Sequence, residues 1–560
     1  MVATRAQELE RAFGDPGDAA NPAGFAELLL ADERNELLAA AEGVLDRARF
    51  GAEFVPVGLG GRLDRADELA RILRPVFRRD VALGFGYGIT GLFAAAAVWA
   101  AGSGSQRRRV ARILLGGGRL AIVHHNLSHG NAMWRGEMTA RPAADGGYLL
   151  SGRKDAVMNA GRADAYVVYA RTDGRSGPRS HSVLLLDAGE GLRVLPRQPS
   201  TGMRGCRFAG LEAEELHVPA GALVGEPGEG TLLALRTFQF TRALVSSVVL
   251  GPADTALRNA VAAAEAAGAG GRQRRLLAGV FADVLVCEVM STVVLRSLHA
   301  LPDSAHLGAA AVKYLVPDLV RECLEELGTV ATAGGSAGYL HKLLRDLPAA
   351  GLGHLGTAAC QAVLLPQLPM LARESWGVTG EPPEELFRPE LPLPPLEWGG
   401  LAVAGGTDAC VAALEGAVAR LAADGAPGVP GVLRALGDAF VAELGELKRR
   451  FAAIEPGDRA ALGSPEACAL ADRYVHVAAA GAVLGYWVRA RGDGFLGDPA
   501  WVVLALYRLG GRLGLELPAL PPNHVERMYE EVVARYRAGH AYDLCAGVLA
   551  EHGGAAWRGR

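Results

Sequence analysis

The sequence predicts a multi-domain α+β chain: an N-terminal helical domain, a central β-domain, a helical bundle and an extra C-terminal helical domain. Three observations carry this. Apolar residues recur at helical spacing through residues 24–116, as in GFAELLLADERNELLAAAEGVL and ADELARILRPVF. Around Gly117-Gly118 the pattern changes, and to about Gly228 short apolar runs are broken by Gly, Pro and Asp. From Leu232 helical periodicity returns, pauses in a Pro-rich stretch and then resumes. With 560 residues, 50% of them hydrophobic, the chain has ample material for large cores.

The expected boundaries follow from those switches. Residues 1–117 form the first helical domain and 118–230 the β-domain. In the latter, YLLSGRKDAVMNAGRADAYVVYARTDG and HSVLLLDAGEGLRVL supply strands, with hairpin-like turns at Asp145-Gly146-Gly147 and Asp173-Gly174. Residues 231–373 form the bundle, 374–400 a Pro-rich linker and 401–560 the extra helical domain. Its stripes Phe440-Leu444-Leu447 and Leu470-Tyr474-Val477 require burial.

Composition narrows the function. The net charge is −4, from 57 basic and 61 acidic residues with no Lys/Arg-rich run, so nucleic acid is not an expected partner. Seven Cys without a C-x-x-C pair predict reduced thiols and a cytoplasmic protein. The first thirty residues are charged throughout, which predicts no signal peptide. Residues 81–102 carry no charge and match a bilayer in length. They are Gly/Ala-rich and flanked on both sides by arginines, so a buried helix and no membrane partner are expected.

Residues 201–230, TGMRGCRFAGLEAEELHVPAGALVGEPGEG, resemble the signature strand segment of the acyl-CoA dehydrogenase family. FVPVGLGG at 54–61 and GSGSQRRRVARILLGGGRLA at 102–121 are similar to the family's early turn and to its entry into the β-domain. The resemblance covers roughly residues 30–365, and the extra bundle looks like the extension of long-chain dehydrogenases and acyl-CoA oxidases. It implies the three-part fold, an apolar acyl thioester on coenzyme A or a carrier protein, and FAD. It also implies α-proton abstraction as a β-hydride passes to the flavin, with hydrogen bonds to the thioester carbonyl.

The chain departs from that pattern where chemistry is done. At one family position for the catalytic Glu, Leu355 precedes Gly356-Thr357, with His354 one residue earlier; the alternative position reads Phe240-Thr241-Arg242. Neither holds a carboxylate, and His354 is the substitute base, since a neutral imidazole serves near pH 7. The family's Trp-Ile/Val-Thr-Asn strand becomes Ala156-Val157-Met158-Asn159, and its Thr-Glu-Pro-x-x-Gly-Ser loop becomes Val123 to His129. The Arg-x-Phe-Gly that meets the cofactor pyrophosphate is absent, leaving Arg272, and Ala331 stands in place of a Gln.

The candidate site is therefore His354, His124, His125 and His129 for proton transfer, with Met158, Asn159, Ser128 and Arg272 as contacts if FAD binds. The histidines lack a helical metal-binding pattern, so no metal is expected. Three readings stand: a cofactor-free isomerisation, elimination or cyclisation of a thioester in specialised metabolism; a flavin-dependent dehydrogenase or oxidase with substituted contacts; and a non-catalytic partner of an active paralogue. A homodimer is expected, because the extra helices would cover the face through which shorter members pair into tetramers.

Overall fold

The computed structural model describes residues 4–124, 126–129, 135–175, 177–189, 191–331, 337–352, 356–374, 376, 380–423, 431–490 and 494–550. Residues 12–241 with 395–403 form one compact unit; residues 1–11, 242–394 and 404–560 form another. The helix α1 (Arg5–Phe13) lies ahead of residue 24, where the helical periodicity of the sequence begins.

In the first unit the helices are α2 (Phe25–Glu33), α3 (Ala39–Arg47), α4 (Ala66–Arg79), a short α5 (Val81–Leu83), α6 (Thr90–Ala101) and α7 (Gly104–Leu115). The Asp80 carboxylate starts α5 by accepting from the amides of Ala82 and Leu83. Between α5 and α6 a π-helical turn spans Gly84–Ile89. Glycine is needed there because a Cβ on Gly84 would lie 2.6 Å from the Phe77 ring. The uncharged run is buried, as expected: Leu92, Ala94, Ala95 and Val98 are fully enclosed. A capping box of Ser103 and Gln106 opens α7.

The β-domain holds β1 (Leu120–Val123), β2 (Thr139–Pro142), β3 (Tyr148–Met158), β4 (Ala165–Arg171), β5 (His181–Asp187), β6 (Leu192–Arg197), β7 (Phe208–Val218) and β8 (Leu223–Val224). Their order is β6-β7-β3-β2-β4-β5-β8, and β1 pairs parallel with β4. Both predicted turns join antiparallel neighbours, β2 to β3 and β4 to β5. At the first, Gly146 takes φ +85°, a conformation that suits glycine. Leu150, Val168, Leu184 and Leu211 form the core of this sheet. The Gln106 amide fastens α7 to the sheet by donating to the carbonyls of Gly221 and Leu223, 3.0 and 2.9 Å away.

From β8 the chain enters α8 (Gly230–Val248). There follow α9 (Leu250–Ala267), α10 (Gly271–Ala300), α11 (Ala305–Ala331), α12 (Ala337–Leu352), α13 (Thr357–Leu364) and α14 (Leu368–Glu374). The linker is not slack. The buried Arg296 guanidinium of α10 donates to the carbonyls of Glu385, Pro389 and Leu391. Beyond it lie α15 (Ala409–Ala423), α16 (Gly431–Ala452), α17 (Arg459–Leu462), α18 (Pro465–Ala490), α19 (Gly494–Gly497), α20 (Pro499–Leu513) and α21 (Pro522–Arg537).

These late helices pack on α10 and α11 within the second unit. Phe440, Leu444 and Leu447 are buried, as are Leu470, Tyr474 and Val477. At the centre of that packing, Arg508 and Arg512 of α20 close on the fully buried Asp283 of α10 at 2.5 and 2.8 Å. Glu326 and Glu322 of α11 share the two guanidiniums, each at 3.0 Å. Among the described residues, three helical stretches are long and apolar enough to cross a membrane: Val81–Ala101, Gly271–Ala300 and Pro465–Ala490. Sequence reading tested only the first. All three are packed inside the protein, which accounts for their apolar composition.

Candidate functional site

Helix α7 turns through Gly116–Arg119 into β1, and the loop leaving β1 begins with His124. That residue is buried. Its ring packs edge-on to Phe238 of α8, centroids 5.6 Å apart, and lies 6.2 Å from the ring of Tyr169 on β4. The Tyr169 hydroxyl, beside Thr237, is strongly raised in pKa by burial. Lys154 of β3, also buried, donates from Nζ to the His124 carbonyl at 3.1 Å. Burial pushes its amine down to about 8, while Glu137 and Asp155 act in the opposite direction.

His181, at the start of β5, completes this buried group. Its Nδ1 meets the Ser180 hydroxyl at 2.8 Å, and its Nε2 is buried with no hydrogen-bond partner among the described residues. Burial, then the charges of Arg171 and Lys154, push its imidazole down to about 4, so it is neutral near pH 7. Sequence reasoning missed Lys154, Tyr169 and His181. They lie on three strands far apart in sequence, so no local spacing announced them.

The other expected site residues fall in differing surroundings. His129 Nε2 pairs with Glu137 at 2.9 Å, and the Ser128 hydroxyl donates to the same carboxylate at 3.0 Å. His124 points among aromatic rings instead, so these two histidines do not share one environment. The Asn126 amide anchors the loop by donating to the Arg153 carbonyl at 2.9 Å, and its carbonyl oxygen accepts from the Glu137 amide. His125 and His354 lie outside the described residues. Among the described residues no group of three His, Cys, Asp or Glu side chains is placed to hold a metal.

At the end of β3 the Met158 thioether accepts the Thr90 hydroxyl at 3.0 Å. Asn159 follows at φ +64°; its amide donates to the Arg207 carbonyl and its buried Oδ1 has no hydrogen-bond partner among the described residues. Arg272 is exposed in the first turn of α10. On α8, the buried Thr241 hydroxyl donates to the Phe238 carbonyl of its own helix at 3.2 Å.

In the second unit Arg242, Lys313 and Cys360 gather as buried, mutually interacting groups. Burial lowers the Lys313 amine to about 8, with Cys360 opposing and Arg242 adding to the shift. Cys360 lies three residues past Thr357, six past His354 in sequence. Sequence reading passed over it because it sits on the apolar face of a short helix.

Residues 127–216 match the family model for the acyl-CoA dehydrogenase middle domain. The short-chain specific acyl-CoA dehydrogenase of Megasphaera elsdenii is 28% identical over 215 residues, 38% of this chain and 56% of that one. The human mitochondrial short-chain specific acyl-CoA dehydrogenase is 36% identical over 128 residues, 23% of this chain and 31% of its own length. The chain thus spans about half or less of these relatives. A solved acyl-CoA dehydrogenase from Bacillus anthracis, complexed with FAD, superposes with a TM-score of 0.70 at 15% identity. That alignment covers 96% of this chain and 95% of the other. The architecture, with its late helices, is therefore that of an acyl-CoA dehydrogenase. The chain thus has the acyl-CoA dehydrogenase fold, and within it residues 127–216 match that family's middle domain.

Proposed function

We propose that this chain acts on an apolar acyl thioester by proton transfer, without flavin redox chemistry: an isomerisation, elimination or cyclisation. The observation that carries this reading is His124, buried between Phe238 and Tyr169 where the resembled loop has an acidic residue, and held by Lys154 through its carbonyl. An imidazole can take a proton α to a thioester carbonyl and return it at another carbon. Lys154 positions the loop. His354, in the turn where the family keeps its base, is the second candidate.

The residues facing a flavin in the family fit that group poorly here. Met158 offers a thioether already accepting from Thr90, Ala156 replaces an aromatic wall, and the Ser128 hydroxyl is bonded to Glu137. Each lost hydrogen bond is worth about 0.5–1.5 kcal/mol. No step is therefore routed through a flavin.

Incubation with a short acyl thioester in heavy water tests this reading. Mass spectrometry should show deuterium entering the α-carbon with the wild-type protein and not with His124→Gln. Absence of wash-in with the wild type overturns it. A flavin-dependent dehydrogenase or oxidase is the second reading, favoured by Arg272. The Arg272 guanidinium, exposed in the first turn of α10, is the residue that would meet the pyrophosphate of such a cofactor.

A further inference from the structure

Helix α7 carries Arg107, Arg108, Arg109 and Arg112 and no acidic residue, on a chain whose net charge is −4. Arg109 pairs with Asp187, whereas Arg108 and Arg112 are exposed and make no ion pair among the described residues. These two lie one helical turn apart along a groove of about 510 Å³, lined also by Leu59, Ser105, Ala111 and Leu115. Val57, next to that groove in sequence, is 57% exposed, an unusual position for a large apolar side chain.

We propose that this face docks a small acidic carrier protein that delivers the acyl group on a phosphopantetheine arm, with Arg108 and Arg112 as its ion-pairing residues. The proposal rests on the acyl-thioester reading and names what brings the thioester. Side chains at i and i+4 face the same way about 6 Å apart, a spacing that two carboxylates one turn apart on a partner helix reproduce. Leu59, Leu115 and Val57 suit an apolar residue between those carboxylates.

A free coenzyme would need somewhere to stack its adenine, and no aromatic ring lines the groove among the described residues. The topology is consistent with delivery by an arm. The end of α7 leads into β1, and His124 stands one strand length further on, about 13 Å for four residues. A partner held at α7 stays outside while its arm covers that distance.

The test is calorimetric titration of the full chain with a bacterial fatty-acid acyl carrier protein in its phosphopantetheine-bearing form, and separately with coenzyme A. The wild type should bind the carrier, with affinity falling as salt rises. R108E/R112E should weaken carrier binding at least tenfold, R108Q/R112Q should weaken it less, and Arg141→Glu on the exposed β2 surface should leave it unchanged. A wild type that fails to bind the carrier overturns the proposal. So does equal binding by R108E/R112E, or a loss confined to coenzyme A. Binding is read without turnover. Carrier binding with no α-proton exchange would sink the thioester chemistry alone, and exchange with arginine-independent binding would sink the docking face alone.

Discussion

The Lys154 amine of β3 donates to the main-chain carbonyl of His124 at 3.1 Å, so a buried cation fixes the loop that leaves β1. A buried ammonium bonded to a neutral carbonyl remains costly, and burial lowers its pKa from 10.5 to about 8. Lys313, enclosed in the helical unit, is lowered to the same range.

The folded pKa of Lys154 lies below the unfolded value, so between about pH 8 and 10.5 the unfolded chain holds more protons. Stability should therefore rise with pH in that window, by at most about 1.4 kcal/mol per pH unit for each such lysine. Lys154→Met, of similar length and uncharged, should reduce the rise without abolishing it, because Lys313 still contributes. Urea midpoints at pH 8, 9 and 10 check this. Parallel profiles for wild type and variant would contradict it.

Purified protein should be colourless or carry FAD well below one per chain after gel filtration. Met158, Ala156, Ala331 and the missing Arg-x-Phe-Gly motif remove contacts that the family resemblance implies. The visible absorption spectrum of the purified protein is the measurement. A stoichiometric yellow preparation would promote the dehydrogenase reading.

Replacing His124 or His354 by Gln should lower turnover by about 10²-fold or more, the range expected for loss of a general base. His125 and His129 form the remainder of the proposed patch. His129, tied to Glu137 near the surface, should be the more tolerant of these two. Each variant is compared by kcat after circular dichroism shows that it is folded. Wild-type rates in all four would remove the histidines from the mechanism.

Much of the fold was legible because its signals are local. Asp145-Gly146-Gly147 is a hairpin turn in sequence and in structure, and Gly146 takes the positive φ that such turns favour. The uncharged run from Val81 could be read as core because it is Gly/Ala-rich and flanked by arginines on both sides. The site was less legible, since its contacts are made by distant segments. Lys154, Tyr169 and His181 look like ordinary strand residues until β3, β4 and β5 fold, and nothing near Asp283 in sequence points to Arg508 or Arg512. The helix α1 is nine residues long, too short for its pattern to stand out.

The last prediction concerns assembly. Asp283 is fully buried on α10, and only by accepting Arg508 and Arg512 of α20 does its charge become tolerable. The late helices are thus locked onto α10 and α11 of their own chain, where Leu470, Tyr474 and Val477 find their burial. The family resemblance implies that shorter members use a face of this bundle to join dimers into tetramers. A chain that fills this face with its own helices should stop at the homodimer. Light scattering across a dilution series should show one species near twice the chain mass. Asp283→Asn should loosen the lock by about 3–5 kcal/mol, the usual cost of breaking a buried ion pair, and speed proteolysis after the linker. A stable tetramer, or a monomer at micromolar concentration, would show that the late helices do not set the assembly.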